Sequence, residues 1–483
     1  MKVLNKNHLV QCSLMMTLAA GFAVQSCTKF VQIAPAPNLI VSTQVFSDSV
    51  DANSAVLGLY IPMAGNSLNI SPYFGYETIY GGLYADELIS ASAADDNGIF
   101  YANALVPNSG ILNNFWIRYY HTIYNATAII EHLEDNKSIS TSARNQFIGE
   151  AKVVRALSYF HLVNQFGAVP LVTTSSYEVN AGLTRASIDS IYQQMISDLT
   201  DAENLLPKSY LTNGRVRPNY YTAVGLLARV YLFRQQWSMA QTEASKILSQ
   251  TGIYGLVALS DVFLSTNVAI SNIEAIWQLI PAYPGGETAE GQVFVPANSQ
   301  QIPRYSINSP LLNSFEPGDL RITNWLGADT INGKTYYYPY KYKLRQDGNS
   351  APLENYMVLR VGEQYLIRAE AETYGVGDGL NGAIADLNQI RHRAGLPDYA
   401  GATDAASLRA AIYHEREVEL FCEWGMRWYD LKRIGKVDSV MGAPGNVSHL
   451  KGGSWSSYKA LYPIPKIEIN LSALLTQNPG YPN

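Results

Sequence analysis

Two pairs of neighbouring carboxylates have the residue types needed for acid–base chemistry. They are Asp86 with Glu87 and Asp95 with Asp96. A glycoside hydrolase holds its two carboxyl groups roughly 5–9.5 Å apart across a cleft, and adjacency in sequence does not promise that separation. The run from Asp95 to Gly98 has the acidic beginning of a calcium loop but lacks the twelve-residue spacing and the terminal glutamate. We therefore expect neither a hydrolytic pair nor a metal site here.

Other catalytic signatures are missing from the sequence. No GxSxG motif, phosphate-binding loop or GxGxxG motif follows a predicted strand. The histidines do not fall into HExxH or another ligand spacing. They are His8, His121, His132, His161, His392, His414 and His449. The sequence thus predicts no enzyme activity and no cofactor.

Charged residues are concentrated between Ala411 and Lys436. This stretch begins as a helix, breaks at Gly425 and continues as a second short helix. Glu415 and Glu419 are four residues apart and therefore share one helical face. The other members of the set are Arg416, Arg427, Trp428, Asp430 and Arg433. Such clustering can mark an active site. Charges interleaved with Trp and Leu are more typical of an ion-pair network between packed helices, so we interpret the stretch as scaffold whose charges pair across the glycine.

Aromatic residues indicate a possible ligand surface. The chain has 33 Tyr against 14 Phe and 7 Trp, and tyrosine suits surfaces that are both apolar and hydrogen-bonding. A sugar ring binds a flat aromatic together with amide, carboxylate or guanidinium groups. Two segments without helical period hold both kinds of side chain. The candidates are Asn97, Phe100, Tyr101 and Asn103 in the first segment and Tyr283, Phe294, Arg304, Tyr305 and Trp325 in the second. We expect the aromatics of the second segment to be exposed; internal packing is the alternative for each.

Composition excludes several classes of protein. The 483 residues carry a formal net charge of −6 and no basic run, which argues against nucleic acid as a partner. Hydrophobic residues make up 47% of the chain, enough for a large core, so no long disordered region is expected. The cysteines are Cys12, Cys27 and Cys422, and they offer the mature protein no disulfide framework.

The first 26 residues predict a secretory leader. Two lysines precede a largely apolar stretch from Leu9 to Val24, which is too short to span a membrane. Val24 to Cys27 resembles a lipobox, in which the Cys27 thiol is acylated and becomes the new N-terminus; a plain secretory signal is the alternative. Residues 27–45 then form an extended, proline-containing tether. We expect a lipid-anchored protein without a spanning helix.

Helical periodicity divides the mature chain into three parts. Residues 46–251 form an N-terminal helical part with a long loop at 67–109. Residues 252–355 form an irregular insertion, and residues 356–483 a C-terminal helical part. Within the insertion, the run Tyr336 to Tyr338 fits a half-buried strand whose side chains alternate between two faces.

An internal repeat indicates the architecture. The pattern Ala228-x2-Tyr231-x8-Ala240 recurs as Ala371-x2-Tyr374-x8-Ala383, with small residues where two antiparallel helices would touch. The predicted helix pairs are 219–234 with 238–250, 356–374 with 380–394, and, earlier in the chain, 112–133 with 142–166. We predict a mainly α fold, a tetratricopeptide-like solenoid of helix pairs that carries a large irregular insertion.

Three segments resemble the C-terminal signatures of the SusD/RagB family. They read LNQIRHRAGLP from Leu387 to Pro397, EREVELFCEWGMRWYDLKR from Glu415 to Arg433, and LYPIPKIEINLSALLTQNPGY from Leu461 to Tyr481. The resemblance implies a SusD-like fold in an outer-membrane lipoprotein that captures a nutrient, usually a glycan, for a TonB-dependent transporter of the SusC type. It also implies that Asp86 and Glu87 are structural and that ligand residues come from the two irregular segments.

These inferences lead to one main functional hypothesis. The chain is expected to be a non-catalytic, lipid-anchored protein of the outer membrane, facing the cell surface, that passes an oligomeric nutrient to a SusC-like partner. A tetratricopeptide scaffold for envelope proteins, without a small ligand, is the alternative, and a hydrolase is a third possibility. Convergence of the aromatic candidates on one solvent-facing patch would favour the binding protein over the scaffold.

Overall fold

The structure is a computed structural model that describes residues 45–64, 74–92, 95–212, 214–264, 272–282, 286–345, 353–442 and 447–482. The predicted leader 1–26, Cys27 and all but the last residue of the tether 27–45 lie outside these residues. Within them the fold is mainly helical, as the sequence predicts. None of the described helices is both long enough and apolar enough to cross a bilayer.

Helices account for most of the described chain. The N-terminal part contains α1 Ser49–Ala64, α2 Phe74–Tyr84, α3 Asp95–Tyr101, α4 Gly110–Glu134, α5 Thr141–Phe166, α6 Tyr177–Asn180, α7 Ile188–Leu205, α8 Tyr220–Phe233 and α9 Trp237–Leu248. The remainder contains α10 Ala289–Phe294, α11 Ser309–Ser314, α12 Arg321–Trp325, α13 Val361–Glu372, α14 Gly379–Arg393, α15 Ala405–Leu420, α16 Met426–Arg433, α17 Val437–Met441, α18 Val447–Leu450 and α19 Lys466–Leu471, with a 3₁₀ turn at Ser457–Ala460.

Antiparallel helix pairs stack into a solenoid. The two repeats predicted from the sequence are present as α8 packed on α9 and α13 packed on α14, and α4 packs on α5. Because α7 lies between α5 and α8, and α9 contacts α13, the stack is continuous across the insertion. The second repeat begins later than predicted, since residues 356–360 form a strand instead. That segment reads YMVLR, which is rich in side chains that favour strands.

Arginine–carboxylate pairs tie successive helices of the stack together. Each pair is bidentate, with N–O distances of 2.6–2.8 Å, so it fixes geometry as well as neutralising charge. The pairs are Arg155 with Asp198 between α5 and α7, Arg229 with Glu363 between α8 and α13, and Arg368 with Asp386 between α13 and α14. These ion pairs, together with apolar packing, therefore fix how the helices of the stack lie against one another.

Short strands form two-stranded antiparallel sheets. The pairs are β1 Leu88–Ser90 with β5 Tyr305–Ile307, β2 Val169–Pro170 with β3 Arg185–Ala186, β4 Ala275–Leu279 with β8 Tyr356–Arg360, and β6 Leu326–Ile331 with β7 Lys334–Pro339. The long loop predicted at 67–109 is wrong in large part, because it contains α2, β1 and α3. Since α2 is buried on nearly all sides, its apolar residues show no helical stripe. The insertion 252–355 likewise holds α10 to α12 and β4 to β7.

The charged stretch near the C-terminus forms α15, a joint at Gly425, and α16. Arg416 of α15 pairs with Asp430 of α16 across the joint, at 2.9 and 3.2 Å, in the way the sequence predicts. Arg433 contacts the same Asp430 at 2.6 Å and makes two bonds of 2.6 and 2.8 Å to Glu370 of α13. All of these charges are matched, so the stretch is built as scaffold.

The same stretch holds α2 and β1 in place. Arg427 makes two bonds of 2.8 and 2.6 Å to the buried Asp86, between α2 and β1. The ring of Trp428 packs edge-on to Tyr84 with 4.7 Å between centroids. Asp86 is thus committed to an ion pair, and Glu87 accepts a hydrogen bond from the backbone of the segment between α15 and α16. Neither carboxylate is placed for hydrolysis.

A denser network of charge surrounds Glu415 and Glu419. Both carboxylates contact the Arg321 guanidinium, at 2.6 and 3.2 Å, and so lie on one face of α15. Glu419 also pairs with Arg360, at 2.5 Å, and with Arg393. Burial alone would raise the pKa of Glu419, but the guanidinium charges around it lower that pKa well below its ordinary value. The ionised carboxylate therefore holds α12, β8 and α14 against α15.

Two glycines meet where α2 crosses the joint. Gly425 begins α16 with φ of +67°, a conformation that favours glycine. A Cβ placed on Gly81 of α2 would lie 2.5 Å from the Cα of Gly425, far inside contact distance. The two backbones therefore touch without an intervening side chain.

We expect Gly81→Ala to lower the free energy of unfolding by about 1–3 kcal/mol, because the added methyl meets backbone that cannot move aside. Gly58→Ala in α1 is the matched control, since no atom lies within 4 Å of the place its methyl group would occupy. Alanine there should be neutral or stabilise by up to about 1 kcal/mol. Urea denaturation of both variants measures the difference, and equal effects would contradict the close approach.

Glu419→Gln should lower the free energy of unfolding by about 3–5 kcal/mol at pH 7, because three largely buried guanidinium groups lose a shared counter-charge. A carboxylate whose pKa is lowered stabilises the fold above its unfolded pKa, and that contribution disappears as the pH falls through the folded pKa. The difference in free energy of unfolding between variant and parent should therefore become smaller as the pH is lowered. Asp189→Asn, which breaks an exposed pair with Arg234, should change stability by less than about 1 kcal/mol. If Glu419→Gln changed the free energy of unfolding as little as Asp189→Asn does, the stabilising role of the network would be contradicted.

Candidate functional site

The two irregular segments that the sequence predicts to supply ligand residues meet in the structure. Strand β1 of the first segment pairs with β5 of the second, with Ser90 opposite Tyr305. Next to this sheet, the Tyr305 hydroxyl donates a hydrogen bond of 2.7 Å to Asn97 Oδ1 in α3. Asn97 of the first segment and Tyr305 of the second are therefore in direct contact.

Most of the predicted ligand residues are buried, so the exposure expected for Phe294, Tyr305 and Trp325 is wrong. The buried residues are Asn97, Phe100, Asn103, Phe294, Tyr305 and Trp325, each with 4% or less of its surface exposed. Phe100 packs against Tyr80 with 4.6 Å between ring centroids, and Asn103 donates to the carbonyl of Tyr84 at 2.7 Å. These side chains stabilise the core. Aromatic rings pack against other rings, and amides hydrogen-bond to backbone carbonyls, as readily as either group contacts a sugar.

Trp325 has a defined structural role inside the charge network. Its ring is fully buried, and its Nε1 donates a hydrogen bond of 2.9 Å to the carbonyl of Leu259. The ammonium of Lys341 lies 4.6 Å from the ring centroid and the guanidinium carbon of Arg393 lies 5.4 Å from it. The face of the indole ring therefore stabilises these two buried cations through cation–π interactions.

Three predicted residues remain to be placed. Tyr283 lies outside the described residues. Tyr101 is half-buried at the end of α3, with the Lys451 ammonium 5.3 Å from its ring centroid. Arg304 is exposed immediately before β5, and its guanidinium carbon lies 5.5 Å from the Tyr305 ring centroid. Only Tyr101 and Arg304 of the described candidates present side-chain surface to solvent.

A charged and aromatic surface forms around Tyr76, which we call the Tyr76 surface (Tyr76, Asp96, Arg118 and Arg304). The half-buried Tyr76 ring packs edge-on to Tyr80 at 5.3 Å. Burial raises the pKa of the Tyr76 hydroxyl, and three charged side chains also act on this pKa. Arg118 and Arg304 lower this pKa, and Asp96 raises it. The carboxylate of Asp96 is held by the Ser109 hydroxyl, which donates to it at 2.6 Å.

Sequence reasoning misses this arrangement for a physical reason. Tyr76 lies on α2, Asp96 on α3, Arg118 on α4 and Arg304 before β5, so no local spacing brings them together. In the sequence Asp96 stands out only as the neighbour of Asp95, whose side chain lies outside the described set. The sequence does indicate the region of the site, because both irregular segments contribute residues to the Tyr76 surface.

One group of potential metal ligands is present in the described part of the chain. Ligand atoms of Glu316, His414 and Glu415 lie within 4.8 Å of one another. Arg391 pairs with Glu316 at 2.5 Å and Arg321 pairs with Glu415 at 2.6 Å, while His414 Nε2 donates to a backbone carbonyl at 2.7 Å. The two carboxylates are already neutralised by guanidinium groups, so this cluster needs no ion.

An apolar groove of about 650 Å³ lies between α1 and the end of β4. Leu57, Ile61 and Ile280 line it with partly exposed side chains. Its charged lining residue, Arg217, is committed to Glu150 through two bonds of 2.8 and 3.0 Å. The groove offers a sugar few hydrogen-bonding groups, so the Tyr76 surface is the better candidate for a polar ligand.

Solved structures of other proteins share the architecture of this chain. A SusD superfamily protein from Bacteroides vulgatus aligns with a TM-score of 0.77 at 23% identity, over 90% of this chain and 100% of that chain. Surface glycan-binding protein A from Bacteroides thetaiotaomicron, solved in complex with laminarihexaose, aligns with a TM-score of 0.74 at 20% identity, over 89% and 99%. The fold is that of SusD-like proteins.

Sequence comparisons agree over both helical parts. The family model described as "SusD family" matches residues 316–481, and the one described as "Starch-binding associating with outer membrane" matches residues 76–232. SusD-like protein P25 from Formosa agariphila is 26% identical over 540 aligned residues, which span 95% of this chain and 97% of that relative. These matches identify the chain as SusD-like over residues 76–232 and 316–481.

We expect Trp325→Ala to lower the free energy of unfolding by about 3–5 kcal/mol, because it leaves a large cavity beside buried cations. Trp325→Phe should recover most of that loss, since it keeps an aromatic face but not the Nε1 hydrogen bond. Tyr177→Ala, at an 83% exposed aromatic, is the control without effect. Chemical denaturation followed by circular dichroism measures all three. A Trp325→Ala protein as stable as the parent would contradict a buried structural role.

Proposed function

We propose that this chain is a non-catalytic binding protein that captures an oligomeric glycan and delivers it to a SusC-like TonB-dependent transporter. The observation that carries the proposal is the Tyr76 surface, where one half-buried ring lies among two guanidinium groups and a carboxylate. The family assignment and a neighbouring fold solved with laminarihexaose support the same reading.

The chemistry of this surface suits a sugar. A pyranose ring has C–H groups that pack on an aromatic face and hydroxyl groups around its rim. Arg118 and Arg304 can donate to those hydroxyl groups, and the fixed Asp96 carboxylate can accept from them. Tyr101 and Arg304 also come from the two segments predicted to supply ligand residues. Both are retained as proposed contacts, with Tyr283 as a further predicted contact outside the described residues.

The environments of Asp86 and Glu87 support a binding role without catalysis. Asp86 is paired with Arg427, and Glu87 is buried and accepts from a backbone N–H group. Burial raises the pKa of Glu87 to about 8. This carboxyl is enclosed rather than aimed across a cleft at a second acid, so it does not meet the geometric need of a glycosidase.

Anchoring and partner complete the proposal. Acylation of Cys27 behind a 26-residue leader would attach the protein to the outer membrane through lipid chains, with the tether 27–45 leading to the folded part at the cell surface. The description "Starch-binding associating with outer membrane" supports that location. The SusC-like transporter as partner rests on the family resemblance of the C-terminal signatures.

The alternative of a tetratricopeptide scaffold without a small ligand is favoured by one observation. Six of the predicted ligand residues are buried, so the described aromatic candidates do not form the single solvent-facing patch that would favour a binding protein. Under this alternative the folded protein would bind no glycan, and the solenoid faces would contact proteins only.

Arg304→Ala should weaken glycan binding about tenfold or more, because the lost donor bonds are charge-assisted. Calorimetry of the full-length protein in detergent against neutral and acidic oligosaccharides measures the effect. Arg234→Ala removes a half-exposed arginine at the C-terminal end of α8 and should leave binding unchanged. Binding of a glycan that neither variant weakens would place the site elsewhere, and no binding to any glycan by folded protein would favour the scaffold.

A further inference from the structure

A groove beside α1 has an apolar part and a polar part, and the proposed glycan site uses neither. The apolar part, of about 650 Å³, includes Leu57, Ile61 and Ile280 in its lining. Arg217 lines both parts, so they adjoin. We call them together the α1 groove. The polar part, of about 750 Å³, is lined by the carboxamides and hydroxyl groups of Asn53, Ser140, Thr141, Ser142, Asn145 and Gln146.

The apolar part includes an exposed face of α1. Leu57 is 41% exposed and Ile61 is 54% exposed. These two residues are four positions apart and therefore share one side of the helix. Val50, which is 74% exposed, lies seven positions before Leu57 on the same side. A row of exposed apolar side chains is typical of a helix face that another segment covers.

The polar part contains a buried acceptor without a donor. Gln146 is 5% exposed, and its amide nitrogen donates to Glu150 Oε1 at 2.6 Å and to the carbonyl of Pro218 at 3.2 Å. Because both partners are acceptors, the orientation of the amide is fixed. Its Oε1 accepts no hydrogen bond from any described residue. A hydroxyl or amide donor that entered the polar part would satisfy this oxygen.

The predicted tether ends beside the polar part. Phe46, which follows the tether, is buried and stacks on His132 with 4.9 Å between ring centroids. Its carbonyl accepts a hydrogen bond of 2.7 Å from Asn136. Ser140, which lines the polar part, follows Asn136 by four residues. The chain that precedes Phe46 therefore starts at the polar end of the α1 groove.

We propose that residues 39–44 of the tether lie in the α1 groove, antiparallel to α1. Read backwards from Phe46, this segment has a polar run of Gln44, Thr43 and Ser42 and then an apolar run of Val41, Ile40 and Leu39. The α1 groove has its polar and apolar parts in the same order. The polar run supplies hydroxyl and amide donors for Gln146, and the apolar run covers the exposed face of α1.

Length and charge also agree with this occupant. The α1 groove follows α1 from Asn53 to Ala64, a distance of about 16 Å, and six residues span at most about 20 Å. No charged residue lies between Phe30 and Phe46. The charge of Arg217 is already paired with Glu150 at 2.8 Å, so a neutral segment meets a groove without a free charge among its described residues.

A second segment adjoins the opposite end of the α1 groove and fits it less well. Residues 65–73 leave α1 at Ala64, which lines the apolar part. They begin with Gly65, Asn66 and Ser67, so polar residues would come first where apolar ones are needed. Their order is the reverse of the order in the groove.

The inference goes beyond the proposed function, because it concerns how the protein is held at the membrane. With residues 39–44 in the groove, residues 28–38 remain between Cys27 and the folded part, and they reach at most about 40 Å. The proposed lipid anchor then leaves the body near Ala64 rather than near Phe46. The α1 groove thus sets which side of the molecule lies nearest the bilayer.

Paired cysteines test the position of the segment in the full-length protein in detergent. Leu57→Cys is combined in turn with Leu39→Cys, Ile40→Cys and Val41→Cys, and cross-links are identified by peptide mass spectrometry after mild oxidation. We expect at least one pair to form a disulfide, which requires the two Cα atoms to approach within about 7 Å. Ile40→Cys with Met239→Cys, at a 43% exposed position of α9, is the control that should form none.

Proteolysis tests whether the apolar part protects the tether. Thermolysin cleaves before large apolar residues, so residues 39–41 are its targets, and cleavage follows the population of the undocked segment. Leu57→Asp with Ile61→Asp should speed cleavage there about tenfold. Val179→Asp with Leu471→Asp, at positions 55% and 76% exposed, should leave the rate unchanged. Circular dichroism spectra of both double variants should match the parent, because the substituted side chains are already exposed.

Two outcomes overturn the inference. The first is the absence of a cross-link from all three tether positions; a disulfide between Leu68→Cys and Leu57→Cys would then assign the groove to residues 65–73. The second is equally fast cleavage at residues 39–41 in the parent and in the Leu57→Asp, Ile61→Asp variant. Neither outcome alters the proposed glycan binding, which the Arg304→Ala experiment tests separately.

Discussion

A single buried carboxylate, that of Glu419, needs opposite charge from three other elements, and much of the architecture follows from this need. An ionised group inside a protein is tolerated only when it is paired and hydrogen-bonded. Its partners are Arg321 at the start of α12, Arg360 at the end of β8 and Arg393 at the end of α14. Two of these lie in or at the edge of the insertion, so the insertion is clamped to the solenoid at separate points.

The clamped insertion then serves as a rigid support for exposed side chains. β5 is paired to β1 and also lies beside β7, so the Tyr76 surface and the hairpin of β6 and β7 are held by backbone contacts rather than by free loops. Side chains placed on strands and helix ends keep their geometry better than side chains on unsupported loops. In this arrangement, a segment of irregular composition still holds its side chains in fixed positions, which the proposed ligand recognition requires.

Residue spacing in the sequence predicts those features that depend on local backbone geometry, such as which residues share a helix face. Glu415 and Glu419 share a face because a helix repeats every 3.6 residues, and the Ala–Tyr–Ala repeats mark close helix pairs for the same reason. The arginine partners of Glu419 come from positions between 26 and 98 residues away in the chain, with no fixed spacing, so they were not predictable.

Aromatic residues show a second limit of sequence reasoning. Composition identifies the two irregular segments as rich in aromatic and amide side chains, yet it does not tell a core ring from a binding ring. Phe294 and Tyr305 pack against each other inside the protein, while Tyr76, on a helix whose period is hidden by burial, reaches the surface. Deciding between these roles requires the neighbours of each ring, which come from distant parts of the chain.

The contacts of α2 also govern when this protein can finish folding. Asp86 finds its partner Arg427 341 positions later in the chain, and the Tyr84 hydroxyl donates to the carbonyl of Lys459, 375 positions later. A nascent chain that is still emerging from a ribosome or a translocation channel lacks these partners, so we expect α2 to pack completely only when the late segments arrive. Closure is therefore a late and slow event dominated by non-local contacts. For the export that the leader predicts, this delay is useful, because an incompletely closed polypeptide can still be threaded through a narrow channel.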